Sequence, residues 1–233
     1  MTALPPLTRE DLKTPEGRKR ALRDFAFGDH AALRALYDNS HEIAPGVWRS
    51  FQPAPGHVAR WAKRGIRTIV NFRGDKPSAA LFLEEEACAA HGIALVNLRL
   101  FSREAPSAET LKALQAMFGA IDYPAVFHCK SGADRVGLGA AMYLFMKAGQ
   151  PLDEALGQLS LRYGHIRAGK TGVIDAAFDA YLKHARAGDN PLTDVEAFLA
   201  WAESPAYDPA AIKAAHRGNW FGNLLTEKVL RRE

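Results

Sequence analysis

Apolar positions along this chain follow two alternating rhythms. Between Thr14 and about Asn39, Leu22, Phe25, Phe27, Leu33, Leu36 and Tyr37 recur at helical spacing, and Gly28-Asp29 marks a break, so two short helices are predicted. Gly46-Val47-Trp48-Arg49 then reads as a short strand and Pro53 to Lys63 as a helix closed by Gly65. Arg67 to Arg73, carrying the β-branched Thr68, Ile69 and Val70, reads as a buried strand. The cycle repeats with a helix from Pro77 to Ala90 ending at Gly92 and a strand from Ile93 to Arg99. A helix from Ser107 to Ile121 follows, with Ser107 as N-cap and Leu111, Leu114, Phe118 and Ile121 on one face. A fourth strand, Ala125 to His128, enters a glycine-containing loop and then a helix from about Asp134 to Ala148. Beyond it only helices are predicted: Pro151 to Leu161, then near Gly172 to His184, Asp194 to Glu203 and Pro209 to Arg217.

Strand and helix in alternation predict an α/β fold, a central and mostly parallel sheet of about four to five strands flanked by helices. The pattern divides a single domain, 1–233, into a helical lead-in (1–44), a core (45–164) and a helical extension (165–233). At 233 residues and 48% hydrophobic, the chain can bury a core without metals or cross-links. Two cysteines, Cys88 and Cys129, give no disulfide framework, and the N-terminus has no signal-peptide layout, so the expected location is cytoplasmic. The longest apolar stretch, Val136 to Met146, is far short of the about 20 residues that span a bilayer, and no stable membrane insertion is expected. The net charge of +4 is spread along the chain. Its densest run, Arg18, Lys19, Arg20 and Arg23, is too short for a nucleic-acid surface, so no nucleic-acid partner is expected.

The chemistry concentrates in His128-Cys129-Lys130-Ser131-Gly132-Ala133-Asp134-Arg135. With this composition, His-Cys-x-x-Gly-x-x-Arg arises by chance on the order of once in two thousand such sequences, before its strand–loop–helix setting is required. A loop of this length entering a helix turns backbone N–H groups inward and makes an anion site at the positive end of the helix. Gly132 lets the turn close, and Arg135 offers a planar fork to two phosphate oxygens. A cysteine thiolate in the same field is stabilised as a nucleophile. Lys130, Ser131, Gly132, Ala133 and Arg135 are thus the candidate phosphate-binding set, with Cys129 as nucleophile and His128 orienting it.

This motif resembles the Cys-x5-Arg loop of the cysteine-dependent phosphatase superfamily, the protein tyrosine and dual-specificity phosphatases. The order of elements from about Val47 to Leu161 is similar to the compact dual-specificity type. Segments such as Gly46 to Pro53 and Gly65 to Arg73 look like those of bacterial members. The resemblance implies hydrolysis of phosphate monoesters through a Cys129 phosphoenzyme, without cofactor or metal, on phosphotyrosine, phosphoserine or phosphothreonine in proteins. Alternatives are a phosphoinositide or other small phosphorylated molecule, a catalytically silent phospho-recognition module, and a sulfurtransferase or arsenate reductase.

Two departures from the family stand out. No Trp-Pro-Asp is present and Leu100 to Pro106 contains no aspartate, so Asp134 is the candidate general acid, with Glu104 as alternative and an N-terminal helix acid as the plain reading of Asp134. Val136 occupies the place where the family usually carries a hydroxyl that helps the cysteine leave. Lys130 keeps polyphosphorylated substrates open. Cys88 reads as a small apolar helix residue, or more sharply as a cysteine that resolves an oxidised Cys129. Tyr163, His165 and Lys170 read as a polar surface loop, or more sharply as a border of the substrate pocket, and the four tryptophans as packing residues. No histidine spacing suggests a metal.

Overall fold

The computed structural model describes residues 5–28 and 39–216. Five strands, β1 (His41–Ala44), β2 (Val47–Ser50), β3 (Thr68–Asn71), β4 (Ala94–Asn97) and β5 (Ala125–His128), form one sheet in the order β1-β2-β5-β3-β4. Only the β1–β2 pair is antiparallel. The mixed sheet and its flanking helices match the α/β architecture expected, with one addition. β1 falls in the stretch assigned to a helical lead-in. It is a four-residue edge strand with no fully buried position, so no alternation advertises it, and the Pro45-Gly46 turn folds it back onto β2.

Side chains alternate across the central strand, and this alternation places the site. Ala125 and Phe127 of β5 join the larger core with Val70 and Phe72, while Val126 joins Ile69, Val58, Trp61 and Cys88 on the other face. That second face is covered by α2 (Pro55–Lys63) and α3 (Ala79–His91). The first is covered by α4 (Ala108–Ala120) and α5 (Asp134–Met146), and behind them by α7 (Val173–Ala187) and α8 (Val195–Glu203). Ser107 caps α4 as expected, accepting a hydrogen bond from Thr110 N at 3.3 Å.

The predicted helix Pro151 to Leu161 is broken. Helix α6 (Leu152–Ala155) gives way to single turns at Leu156–Gln158 and Leu161–Tyr163. The bend brings the Gln158 carbonyl and side-chain oxygens to Nη1 of Arg49, at 2.7 and 2.9 Å, a tertiary demand that overrides helical propensity. In the lead-in, α1 (Pro15–Arg23) is followed by one wide turn at Asp24–Gly28. The predicted second helix, with Leu33, Leu36 and Tyr37, lies outside the described residues, as do Trp220 and everything after His216. Leu12, Ala21 and Phe25 pack on Ala80 to Leu83 of α3. The basic lead-in meets the acidic run of that helix, Arg9 with Glu85 at 2.6 Å and Arg18 with Glu86. A short final helix, α9 (Pro209–Ala215), ends the described chain.

Candidate active site

The loop from Cys129 to Arg135 joins the C-terminal end of β5 to the N-terminus of α5, in the middle of the sheet. Its carbonyl oxygens are held from behind. Lys130 O accepts from Gln52 N at 3.2 Å, and Ser131 O and Gly132 O accept from Asn39 Nδ2 at 3.2 and 2.9 Å. Gly132 O and Ala133 O also accept from Arg49 Nη2, at 2.8 and 3.0 Å. In a trans peptide the N–H points opposite the carbonyl, so four carbonyls turned outward aim the amides of residues 131–134 to the other side, in an anion-binding concavity. Gly132 has φ +76°, and a Cβ there would lie 2.9 Å from Asn39 Nδ2, so glycine is required on both counts.

The sequence reading missed Arg49 and Asn39. Arg49 is fully buried on β2, with its guanidinium 4.0 Å from the Tyr163 ring centroid. Burial lowers its pKa to about 10 while Cys129, Tyr163 and Asp134 oppose the shift, so it stays a cation at neutral pH behind the loop. The signal was present in the sequence: Arg49 shares its strand face with Val47, an inward position where a charge needs partners.

Cys129 is 1% exposed and sits in the larger core cluster. His128, by strand alternation, faces α3 instead. Its Nε2 is 2.8 Å from Oε1 of Glu84, both fully buried, in an electrostatic contact not aligned as a hydrogen bond. Its Nδ1 is 3.3 Å from the Cys129 carbonyl oxygen. Glu84 Oε2 accepts from Gln52 Nε2 at 2.8 Å, and Gln52 Oε1 accepts from Arg73 at 2.5 Å, so polar contacts run from the cysteine's neighbour to the surface.

Asp134 is buried, and its Oδ1 is 2.7 Å from His165 Nδ1, whose Nε2 is 2.7 Å from Asp175 Oδ2. His165 is 1% exposed and Tyr163 8%, which corrects the expectation of a polar surface loop; Lys170 of that trio is exposed. Burial alone would lower the His165 pKa, but its hydrogen bonds to Asp134 and Asp175 outweigh it and raise the pKa to about 9. The imidazolium therefore bridges two carboxylates at neutral pH. Glu104 pairs with Lys213 and lines a different cavity, with Phe101 and Leu138. Val136 is fully enclosed in the core. Cys88 packs on the opposite sheet face from Cys129, and burial with Glu84 and Glu85 nearby pushes its thiol up to about 12, away from the thiolate a resolving cysteine needs.

Arg135 is half-buried and borders a cavity of about 240 Å³ shared with Arg73, Lys76 and Arg99. No group of three or more His, Cys, Asp or Glu side chains that could hold a metal occurs among the described residues, and none of their helices is long and apolar enough to cross a membrane.

Residues 40–142 match the family described as beta-lactamase hydrolase-like protein, phosphatase-like domain. The dual specificity protein phosphatase TpbA of Pseudomonas aeruginosa strain UCBPP-PA14 is 29% identical over 122 residues, covering 52% of this chain and 53% of the relative. The chain spans about half the length of the curated relatives it matches. Among solved structures, P. aeruginosa TpbA in complex with phosphotyrosine is similar at 24% identity and a TM-score of 0.45, over 55% of this chain and 75% of that one. Human DUSP28 is similar at 20% identity and a TM-score of 0.40, over 52% and 78%.

Proposed function

With residues 40–142 forming a member of the cysteine-dependent, dual-specificity-phosphatase-like superfamily, we propose that this chain hydrolyses phosphate monoesters, phosphotyrosine in proteins above all. The observation that carries the reading is the loop itself. Cys129 and Arg135 flank four peptide units whose carbonyls are turned away by Asn39, Arg49 and Gln52, leaving a preorganised anion cradle at the start of a 13-residue helix.

In the proposed reaction the amides of residues 131–134 and the Arg135 fork hold the phosphoryl oxygens. The Cys129 thiolate attacks phosphorus in line as the bond to the leaving oxygen breaks. The leaving oxygen takes a proton from the Asp134–His165 pair. In the second step that pair accepts a proton from water, which attacks phosphorus and breaks the P–S bond, releasing inorganic phosphate. Asp134 is assigned as the acid–base group working with His165, since Glu104 is engaged by Lys213 away from Arg135. No step calls for a cofactor or a metal. Lys130 adds a positive charge next to the nucleophile, and His128, beside Glu84, orients the peptide that carries it.

The reading treats the chain as a single domain in which 165–216 complete the core of 45–164, acting in the cytoplasm, where both cysteines stay free. A nucleic-acid role is not part of it, since Arg9 and Arg18 are taken up by Glu85 and Glu86. A small phosphorylated substrate is the second reading, favoured by the cationic cavity beside Arg135.

Phosphate release from p-nitrophenyl phosphate and from a phosphotyrosine peptide tests the reading. Vanadate-sensitive turnover that disappears in Cys129→Ser is the expected result. Vanadate binding without turnover would make the chain a phospho-recognition module and overturn it.

A further inference from the structure

We propose that the cavity beside the phosphate loop is a second anion subsite, selecting substrates that carry another phosphoryl group near the one being cleaved. The inference rests on the phosphatase reading and specifies its substrate.

Arg73, Lys76 and Arg99 share the cavity with Arg135, and among the described residues no carboxylate lines it; Asp75, between Arg73 and Lys76, is exposed and off the wall. One phosphate monoester needs only Arg135 and the loop amides. Lys76 and Arg99 are gathered on one wall with the Arg135 guanidinium, and a second dianion relieves the repulsion among these cations while matching the planar forks of two arginines.

The wall is built rather than incidental. Buried Gln52 accepts a hydrogen bond from Arg73 Nη1 at 2.5 Å and is itself fixed by buried Glu84 at 2.8 Å. Asn71, also buried, ties the turn that follows β3: its Oδ1 accepts from Arg73 N at 2.9 Å, and its Nδ2 donates to Gly74 O at 3.0 Å and to Asn97 Oδ1 at 2.9 Å. Gly74, at φ +78°, lets the Arg99 stem close against that turn, since a Cβ there would lie 2.8 Å from Arg99 Cβ. The Arg99 guanidinium stacks 5.0 Å from the Phe101 ring centroid. Neither Lys76 nor Arg99 has an ion-pair partner among the described residues.

The second phosphoryl group can sit on a peptide or on a polyol, and the test separates the two. kcat/KM is measured for p-nitrophenyl phosphate, for a phosphotyrosine peptide with and without an adjacent phosphothreonine, and for myo-inositol hexakisphosphate beside myo-inositol monophosphate. The protein as it stands is compared with the double variant Lys76→Ala/Arg99→Ala, and with Lys76→Gln/Arg99→Gln should the first fold poorly. At least a tenfold preference for one multiply phosphorylated substrate is expected, weakening as salt is raised. The double variant should lose most of it while keeping p-nitrophenyl phosphate turnover within twofold. A preference in the peptide arm assigns a protein substrate, and one in the polyol arm a small molecule. Equal kcat/KM with and without the second phosphate in both arms, or a preference untouched by the variants, overturns the subsite.

Titration of Cys129→Ser with myo-inositol hexakisphosphate and with inorganic phosphate keeps the two readings apart. Should turnover be absent altogether, the phosphatase reading falls, while tighter binding of the hexakisphosphate that depends on Lys76 and Arg99 still supports the subsite. Its absence overturns the subsite.

Discussion

At the scale of single residues, the least expected feature is the buried cation between two carboxylates. His165 is raised from an ordinary value near 6.5 to about 9 in the folded chain, so its interactions with Asp134 and Asp175 stabilise the fold fully below pH 6.5 and are lost as pH rises through about 9. A shift of that size corresponds to on the order of 3 kcal/mol. Urea midpoints at pH 6, 7.5 and 9 should fall steadily, and His165→Gln should start lower and flatten that slope; a variant that keeps the slope would remove His165 as its cause. Val136 supports a second prediction. Because it is enclosed in the core, Val136→Ser would leave a void, whereas Val136→Thr keeps the shape and adds the hydroxyl at a cost of about 1–3 kcal/mol. If slow breakdown of the phosphoenzyme limits turnover, Val136→Thr raises the steady-state rate several-fold and shrinks the pre-steady-state burst. An unchanged rate and burst would exonerate the valine.

At the scale of elements, the loop is rigid because other elements hold it. Arg49 of β2 satisfies carbonyls of the loop and of the Gln158 turn together, and its partners lie 83 to 109 residues away in sequence. Arg49→Met should therefore strand several buried acceptors, lowering stability by about 3 kcal/mol or more and weakening vanadate binding at least tenfold, as denaturant titration and inhibition can measure. Vanadate affinity unchanged in a destabilised variant would make Arg49 a fold residue alone. The same separation explains what was legible beforehand. Local signals, namely the β-branched run at Thr68 to Val70, the Ser107 cap and the Cys129 to Arg135 spacing, revealed the α/β order and singled out the loop with its candidate nucleophile. Asn39, Arg49 and the Asp134–His165–Asp175 chain join residues whose neighbours in sequence carry no trace of the partner. Period-2 reading of Val47, Trp48 and Arg49 was the one route to Arg49, and the weak, half-exposed β1 had none.

At the scale of the whole molecule, the helices after Gly164 pack into the same interior as the sheet and α5. Ile174, Phe178 and Tyr181 of α7 and Phe198 and Trp201 of α8 lie in one cluster with Phe127 of β5 and with Phe145 of α5, the helix that starts at the loop. Phe198 packs edge-on against Phe145 with centroids 5.4 Å apart and against Tyr181 at 4.8 Å. The Tyr207 hydroxyl donates to Pro106 O at 2.6 Å, and Asp175 completes the contacts of His165. Ending the chain after Gly164 would uncover the outer face of α5 and strip Asp134 of His165, with Asp175 behind it. Such a truncation should aggregate on expression and show no cooperative melting. A graded version avoids relying on failure to fold: Phe198→Ala should cost about 3–5 kcal/mol, yet leave kcat/KM for p-nitrophenyl phosphate near its original value at low temperature, where the fold persists. If the 1–164 fragment instead melts cooperatively and keeps that activity, the C-terminal helices are an accessory, and the site needs only the sheet, α5 and the clamp from β2.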